Sequence, residues 1–297
     1  MRYHFYTLSF PFINFVTLVV HNFFYSAILF DVQIIVVDDK STDTTVQVVK
    51  DYMLTYEGSF VNLVELKVNR GKGGALKAGV EYTRGDYVLM ADADAATDIN
   101  DLDKLLHAMK DVQKIDPSSN LLLGMTIGSR AHLASKSVQT RSVIRTFLMR
   151  GFHFLVSTLC SKEIQDTQCG FKLFTKKTAL ILFRTLNVEG WAFDVELIYL
   201  CELFHIPIRE VDVNWTEMPG SKLIQHKLDV ITTSLSMLRD MLAIRFCYAT
   251  SLWFLPEDLR KEGMDVVEKN KEVAQGKEGV KIESYIPIKK ESMEDEF

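Results

Sequence analysis

Residues 87 to 98 read YVLMADADAATD. An apolar run, Tyr87 to Ala91, stops at Asp92, and a second acid follows one alanine later at Asp94. A short apolar run bounded by turn residues reads as a buried strand. In a strand, residues i and i+2 point to the same side, so the two carboxylates can converge at its end. Two carboxylates held close together repel unless a cation sits with them. Hard oxygen ligands suit Mg2+ or Mn2+, and Mg2+ is commonly held by one or two carboxylates plus substrate phosphates. The flanking alanines are expected to leave room for such a ligand. The plainer alternative is a polar strand end in which Thr97 or Asp98 caps the next helix.

Working outward, strands and helices alternate. VQIIVV (32–37) is a strand that ends at Asp38-Asp39, and TTVQVVKDYMLTY has helical spacing. VNLVELKV is a strand, GKGGALKAGVEYT a glycine turn running into a helix, and DYVLMA the strand above. DINDLDKLLHAMKDV is a helix and LLLGMTIGS a further strand. The alternation predicts an α/β fold, a mostly parallel sheet flanked by helices. Ligands of such sheets sit beyond the carboxyl ends of the strands. Both acidic turns and the glycine turn fall there.

Asp38 and Asp39 can accept from a ribose hydroxyl or a base N–H, or serve only the cap of the next helix. In NRGKGGALKAG (69–79), Gly71, Gly73 and Gly74 permit close backbone approach, and Arg70 and Lys72 add positive charge. The turn lacks the spacing of a Walker A loop. GSRAHLASKSVQTRSVIRTFLMRGFHFL joins Arg130, Arg141, Arg145 and Arg150 to an apolar, aromatic series. It reads as a helix at a lipid surface or as a core helix with a solvated basic face. Asp194 and Glu196 open an apolar helix, where acids suit the dipole, or point into a cleft.

The chain of 297 residues is 47% hydrophobic and 25% charged, enough for one large domain with attachments. A net charge of −5 gives no reason to expect a nucleic-acid partner. Cys160, Cys169, Cys201 and Cys247 show neither CxxC nor metal spacing and read as thiols in a reducing compartment. Residues 1–30 are an apolar segment in which 8–30 could anchor the chain in a bilayer, although Pro11, Asn14, His21 and Asn22 weaken that reading. The catalytic domain is expected over 31–225, an amphipathic membrane-associated helical region over 226–256, and a polar flexible tail over 257–297.

The ordered set VVDDKSTDTT, NRGKGGALKAG, ADADAATD, GSR, DTQCGFKLFT, WAFDVELIYL and VNWTEMPGSKL resembles a GT-A glycosyltransferase of family 2 over about residues 32 to 250. DxD alone would not carry this; DTQCGFK, WAFDVEL and VNWTE together are far more specific. Within the family, the chain is most similar to the members that pass glucose from UDP-glucose to dolichyl phosphate at the endoplasmic reticulum. The resemblance implies a divalent cation, Mg2+ or Mn2+, at Asp92 and Asp94, with Asp94 preferred as the direct ligand. It implies nucleotide-sugar binding by Asp38, Asp39, Asp92 and the turn holding Lys72 and Gly73. Arg130 would lie near the phosphates, and Arg141 or Arg145 would meet the acceptor phosphate. Asp194 would position the acceptor or act as a weak base. The catalytic domain would face the cytosol at the endoplasmic reticulum membrane.

One departure stands out. Family members open with a strand ending in a motif like PAYNE, whereas this chain carries HNFFYSAILF before Asp31. The strand beside IIVVDD is therefore expected to be missing or poorly replaced, its edge exposed, and UDP affinity reduced.

Overall fold

The structure, a computed structural model, describes residues 16–21, 31–55, 61–94, 96–115, 121–134, 164–216, 227–253 and 280–284. The strands are β1 (Val16–His21), β2 (Asp31–Asp38), β3 (Val61–Leu66), β4 (Tyr87–Ala91), β5 (Lys114–Ile115), β6 (Leu122–Leu123), β7 (Met125–Ser129), β8 (Lys172–Thr175), β9 (Ile208–Asp212) and β10 (Val280–Ser284). The helices are α1 (Thr45–Thr55), α2 (Gly71–Val80), α3 (Leu102–Val112), the single turn α4 (Ala131–Ala134), α5 (Lys176–Thr185), α6 (Phe193–Leu203) and α7 (Lys227–Ala249).

Eight strands form one sheet in the order β10-β3-β2-β1-β4-β8-β7-β9. Only β2–β3 and β7–β9 pair in parallel; the other five pairings are antiparallel. The expected mostly parallel sheet is thus a mixed one. The physical reason lies in three reversed strands. β2, β3, β4, β7 and β9 all run one way, and β1, β8 and β10 run against them. The regular strand–helix alternation yields the co-directional set, while the reversed strands come from segments outside that alternation.

Two of those reversals fall on stretches expected to do something else. Val16–His21, within the apolar segment read as a membrane anchor, forms β1 between β2 and β4. The edge expected to stand open beside β2 is therefore occupied, with Val16 opposite Val36 on one side and Ala91 on the other. An apolar run rich in β-branched residues suits a strand covered on both faces as well as a bilayer, and its length alone does not separate the two. Val280–Ser284, within the segment expected to be a flexible tail, pairs with β3 as β10. The rest of 1–30 and of 257–297 lies outside the described residues. No helix among the described residues is long and apolar enough to cross a membrane.

The sheet is covered on both faces, and the period-2 alternation of β2 and β3 shows it. Ile35, Val37, Val64 and Leu66 enter the main core, built with residues of α2, α3, α5, α6 and α7. Val36, Val61 and Leu63 face the other way, against Val49 and Met53 of α1. Successive residues feed opposite layers, which fixes the register of both strands. Gly124 separates β6 from β7, so the single strand expected over LLLGMTIGS is divided. A Cβ at Gly124 would lie 2.9 Å from Met109 Sδ, a contact that only glycine avoids.

Candidate active site

The reversed strand β8 builds the site. Its first residue, Lys172, pairs with Met90 near the carboxyl end of β4 and with Ile127 in β7. A strand running backwards between two forward strands brings its starting residue to their carboxyl ends. DTQCGFK therefore arrives beside DxD and beside Arg130, which follows the last residue of β7.

Four charged side chains interleave there. Lys72, at the start of α2, places Nζ 2.5 Å from Asp92 Oδ1. Lys172 Nζ lies 2.5 Å from Asp194 Oδ1 and donates to the Cys169 carbonyl at 2.6 Å. Lys172 is 0% exposed, Asp194 4% and Lys72 9%. Buried charges persist when they are paired and hydrogen-bonded, and here the cations alternate with the acids. Burial pushes Lys72 toward losing its proton, but Asp92, Asp194 and Asp94 outweigh that, so its pKa is raised. Burial pushes the Asp194 carboxyl up, with Lys172 and Lys72 pulling against it.

The two acids of DxD do not share one fate. β4 ends at Ala91, so the strand rule for i and i+2 stops applying there. Asp92 turns inward to Lys72 and packs on Gly170, where an added Cβ would collide with its carboxylate. Asp94 is exposed and accepts from the Ala96 amide at 3.0 Å. The alanines, expected to make space for a ligand, also pack: Ala93 is buried against the α1 layer and Ala96 is 7% exposed. Asp98 accepts from Asn100 N at 3.0 Å and caps the helical turn Ile99–Asp101, as the plainer reading anticipated.

The second acidic turn and the glycine turn are joined. Both oxygens of Asp39 are taken by backbone amides of the glycine turn, Arg70 N and Gly71 N, each at 2.7 Å. An acid at a helix start satisfies orphan donors and opposes the dipole. Asp38, 5% exposed, accepts from Ser41 N at 3.1 Å. The next amides of α2 are also spent: Gly73 N and Gly74 N donate to the Glu189 carbonyl at 2.8 and 3.3 Å. The glycines allow this close approach, since a Cβ at Gly73 would stand 2.7 Å from Phe193 Cβ and 2.9 Å from the Val188 carbonyl. The Glu189 side chain closes the contact by pairing with Arg70. The turn thus docks the 188–193 segment through its amides and presents Lys72 to Asp92.

Arg130 is held by Asp166 through its backbone N (2.9 Å), Nε (2.7 Å) and Nη2 (2.8 Å). Its guanidinium carbon lies 5.5 Å from the centre of the Trp215 ring. Asp166 is itself fixed, because its amide donates to Glu210 at 2.8 Å. Trp215 reaches the site because Thr97 bridges to it and Thr216 N donates to the Ala96 carbonyl at 2.8 Å. VNWT is thereby sewn to the loop after DxD. Arg141 and Arg145 lie outside the described residues. Cys169 is a buried thiol pushed up to about 11 by burial; Cys201 and Cys247 are likewise unbridged, and Cys160 lies outside the described residues.

Among the described residues, no group of three or more His, Cys, Asp and Glu side chains gathers to hold a metal unaided. The donors present still fit a hard cation that brings phosphate oxygens with it. Asp94 is a carboxylate at the ligand end of a strand, with one oxygen given to an amide.

The sequence model of glycosyl transferase family 2 matches residues 18–178. This chain belongs to that family. Among curated relatives, the dolichyl-phosphate β-glucosyltransferase of Dictyostelium discoideum is 48% identical over 225 residues, 75% of this chain and 65% of that protein. The protein of the same name from Homo sapiens is 48% identical over 78% of this chain and 68% of its own length. That of Saccharomyces cerevisiae is 39% identical over 74% and 66%. The chain thus spans about two thirds of the length of these relatives. Among solved structures, mannosyl-3-phosphoglycerate synthase of Rubrobacter xylanophilus aligns with a TM-score of 0.42 and 19% identity, over 70% of this chain and 62% of that one. In this family 2 chain, Lys172, Asp166, Glu189 and Trp215 are structural members of the site that sequence reasoning did not single out. Lys172, Asp166 and Trp215 stand in the motifs DTQCGFK and VNWTE, and Glu189 directly precedes GWAFDVEL, so the signal was motif membership rather than spacing.

Proposed function

We propose that the chain transfers glucose from UDP-glucose to dolichyl phosphate with inversion, giving dolichyl β-D-glucosyl phosphate for N-glycan assembly. The observation that carries this is the 46–48% identity to dolichyl-phosphate β-glucosyltransferases from four eukaryotes, over 75–78% of the chain.

The residues in place suit that chemistry. A phosphate monoester is already anionic at neutral pH, so the acceptor needs little help from a base. What it needs is positive charge and orientation. Arg130, stacked by Trp215 and aligned by Asp166, offers a guanidinium whose orientation is set before any ligand arrives. Asp194, enclosed and bonded to Lys172, acts as an anchor for the lysines more readily than as a proton acceptor. Mg2+ or Mn2+ would be held at Asp94, with Asp92 beside it, and would neutralise the leaving diphosphate. Asp38 and Asp39 shape the nucleotide end of the cleft by fixing the turn at Ser41 and the start of α2.

A lipid acceptor calls for a lipid surface, and α7 offers a suitable face. Met241, Ile244 and Tyr248 are buried, whereas Leu235, Leu242 and Phe246 are 60%, 51% and 61% exposed. Arg239 falls on the same exposed stripe, paired with Asp240 at 2.7 Å. Apolar side chains with a cation among them suit the headgroup boundary of a membrane. The setting we propose is the endoplasmic reticulum membrane, with the catalytic domain facing the cytosol.

The test is transfer by membranes expressing the chain, given dolichyl phosphate, Mg2+ or Mn2+, and labelled UDP-glucose or GDP-mannose. Dolichol-linked glucose is expected, and Asp94→Ala should abolish it. Product from GDP-mannose alone would make the chain a mannosyltransferase. Nucleotide binding without product from either donor would mark it as an inactive relative.

A further inference from the structure

We infer that Lys72 is the resident counter-cation of DxD: it neutralises Asp92, so a divalent cation is held through Asp94 and binds firmly only when a nucleotide diphosphate arrives with it. This rests on the metal reading of the site given above.

Three observations carry it. The Lys72 ammonium is in ion-pair contact with Asp92 Oδ1 at 2.5 Å and is almost wholly enclosed. Its backbone is held in the glycine turn, whose neighbouring amides are fixed by Asp39 and Glu189, and its burial leaves the side chain little room to leave Asp92. Asp92, its side chain 34% exposed, lies against Gly170 on one side, with no room between them for a methyl group. Asp94, by contrast, is exposed and gives one oxygen to Ala96 N.

The charge balance then has a consequence. Two bare carboxylates would attract a dication by themselves. With an ammonium already on Asp92, the pair carries one net negative charge, and an incoming dication also meets the repulsion of Lys72. A diphosphate supplies the missing negative charge and further oxygens. Cation and nucleotide therefore strengthen each other's binding, and by linkage the coupling is reciprocal. The arrangement keeps DxD from collecting cations that bring no substrate.

Mn2+ titration of the full chain, following the electron paramagnetic resonance of free Mn2+ with and without UDP, tests this. In the unmutated chain, Mn2+ affinity should rise at least tenfold when UDP is present. Asp92→Asn, which leaves the Lys72 charge without Asp92 but removes no direct ligand, should lower the affinity with UDP several-fold less than Asp94→Asn, which should lower it at least tenfold. Lys72→Met should raise the affinity without UDP about tenfold or more, shrinking the effect of UDP. Equal losses in Asp92→Asn and Asp94→Asn would overturn the inference while leaving the metal site in place. So would unchanged or weaker UDP-free binding by a Lys72→Met chain whose melting shows it folded; should that variant not fold, the Asp92 and Asp94 comparison decides alone. No Mn2+ binding by the unmutated chain even with UDP would overturn the metal reading itself, and the inference with it.

Discussion

Asp166 grips Arg130 at both ends of its fork, Nε to Oδ2 at 2.7 Å and Nη2 to Oδ1 at 2.8 Å, and takes its backbone amide as well. Planar two-point pairing of this kind fixes direction in addition to charge. Asp166→Ala should leave Arg130 charged but unaimed. Glucose transfer is expected to fall about 10- to 100-fold, with about 1–3 kcal/mol lost from stability. Transfer assays beside a denaturant melt check both, and unchanged transfer would show that Arg130 needs no such alignment.

The same pair predicts an acid limit. Burial by itself would raise the Asp166 carboxyl, but its hydrogen bonds and attraction to Arg130 outweigh burial and lower it. A lowered carboxyl contributes stability that is present above its unfolded value, about 4, and disappears as pH falls through the lower folded value. Stability measured by denaturant from pH 6 down to 3 should decline less steeply in Asp166→Asn than in the unmutated chain. Parallel declines would remove Asp166 from the account.

Glu196 predicts a dependence of the opposite sense. It is wholly buried and accepts from Val188 N at 2.6 Å, Asn187 N at 2.9 Å and Tyr248 Oη at 2.6 Å. Burial nonetheless raises its pKa above the ordinary value. A raised carboxyl favours folding while protonated, and that advantage is lost as pH rises through the folded value. Tyr248→Phe removes one donor to the charged form, at a cost of about 1–3 kcal/mol. The cost should be larger at pH 8 than at pH 4.5, which paired urea melts at the two pH values will read.

Gly170 offers a steric test. A methyl group at this position would occupy the place of the Asp92 carboxylate. Gly170→Ala should force Asp92 from Lys72 and reduce transfer at least tenfold. Because glycine also lowers the order of the unfolded chain, the stability change is expected to be small beside the activity loss. Equal activity in Gly170→Ala would mean the contact is not needed.

The outer face of α7 tests the lipid reading. Leu242→Glu and Phe246→Glu place charge on a stripe that already faces solvent, so stability should stay within about 0.5 kcal/mol. Flotation with liposomes should weaken several-fold, and transfer to dolichyl phosphate in membranes should weaken with it. Unchanged flotation would assign membrane contact to some other part of the chain.

Much of this was legible because it is local. The periods of TTVQVVKDYMLT and DLDKLLHAMKDV gave α1 and α3, and the runs VQIIVV and YVLMA gave strands with acids at their carboxyl ends. What was not legible depends on partners far apart in the chain. Asp39 finds its amides 31 and 32 residues later, and Lys172 finds Asp194 after 22. No spacing rule connects such pairs; the sheet order does. β8 is four residues long and fully buried, too short for any period to emerge. In VKIES the alternation of Val280 and Ile282 with Lys281 and Glu283 was present, yet the polar tail around it outweighed the pattern. Glu196 was seen as a helix-start acid, whereas its oxygens serve the 187–188 amides and α7.

β10 pairs Val280 with Leu66, joining strands separated by roughly 200 residues of chain. During synthesis, β3 leaves the ribosome long before its outer neighbour exists. Its pairing with β10 waits until Val280–Ser284 has been made. A chain that stalls or is cut before residue 280 would therefore carry the residues of the candidate site together with an open, pairing-competent edge. Such a product should be lost to aggregation rather than persist as a smaller, working enzyme.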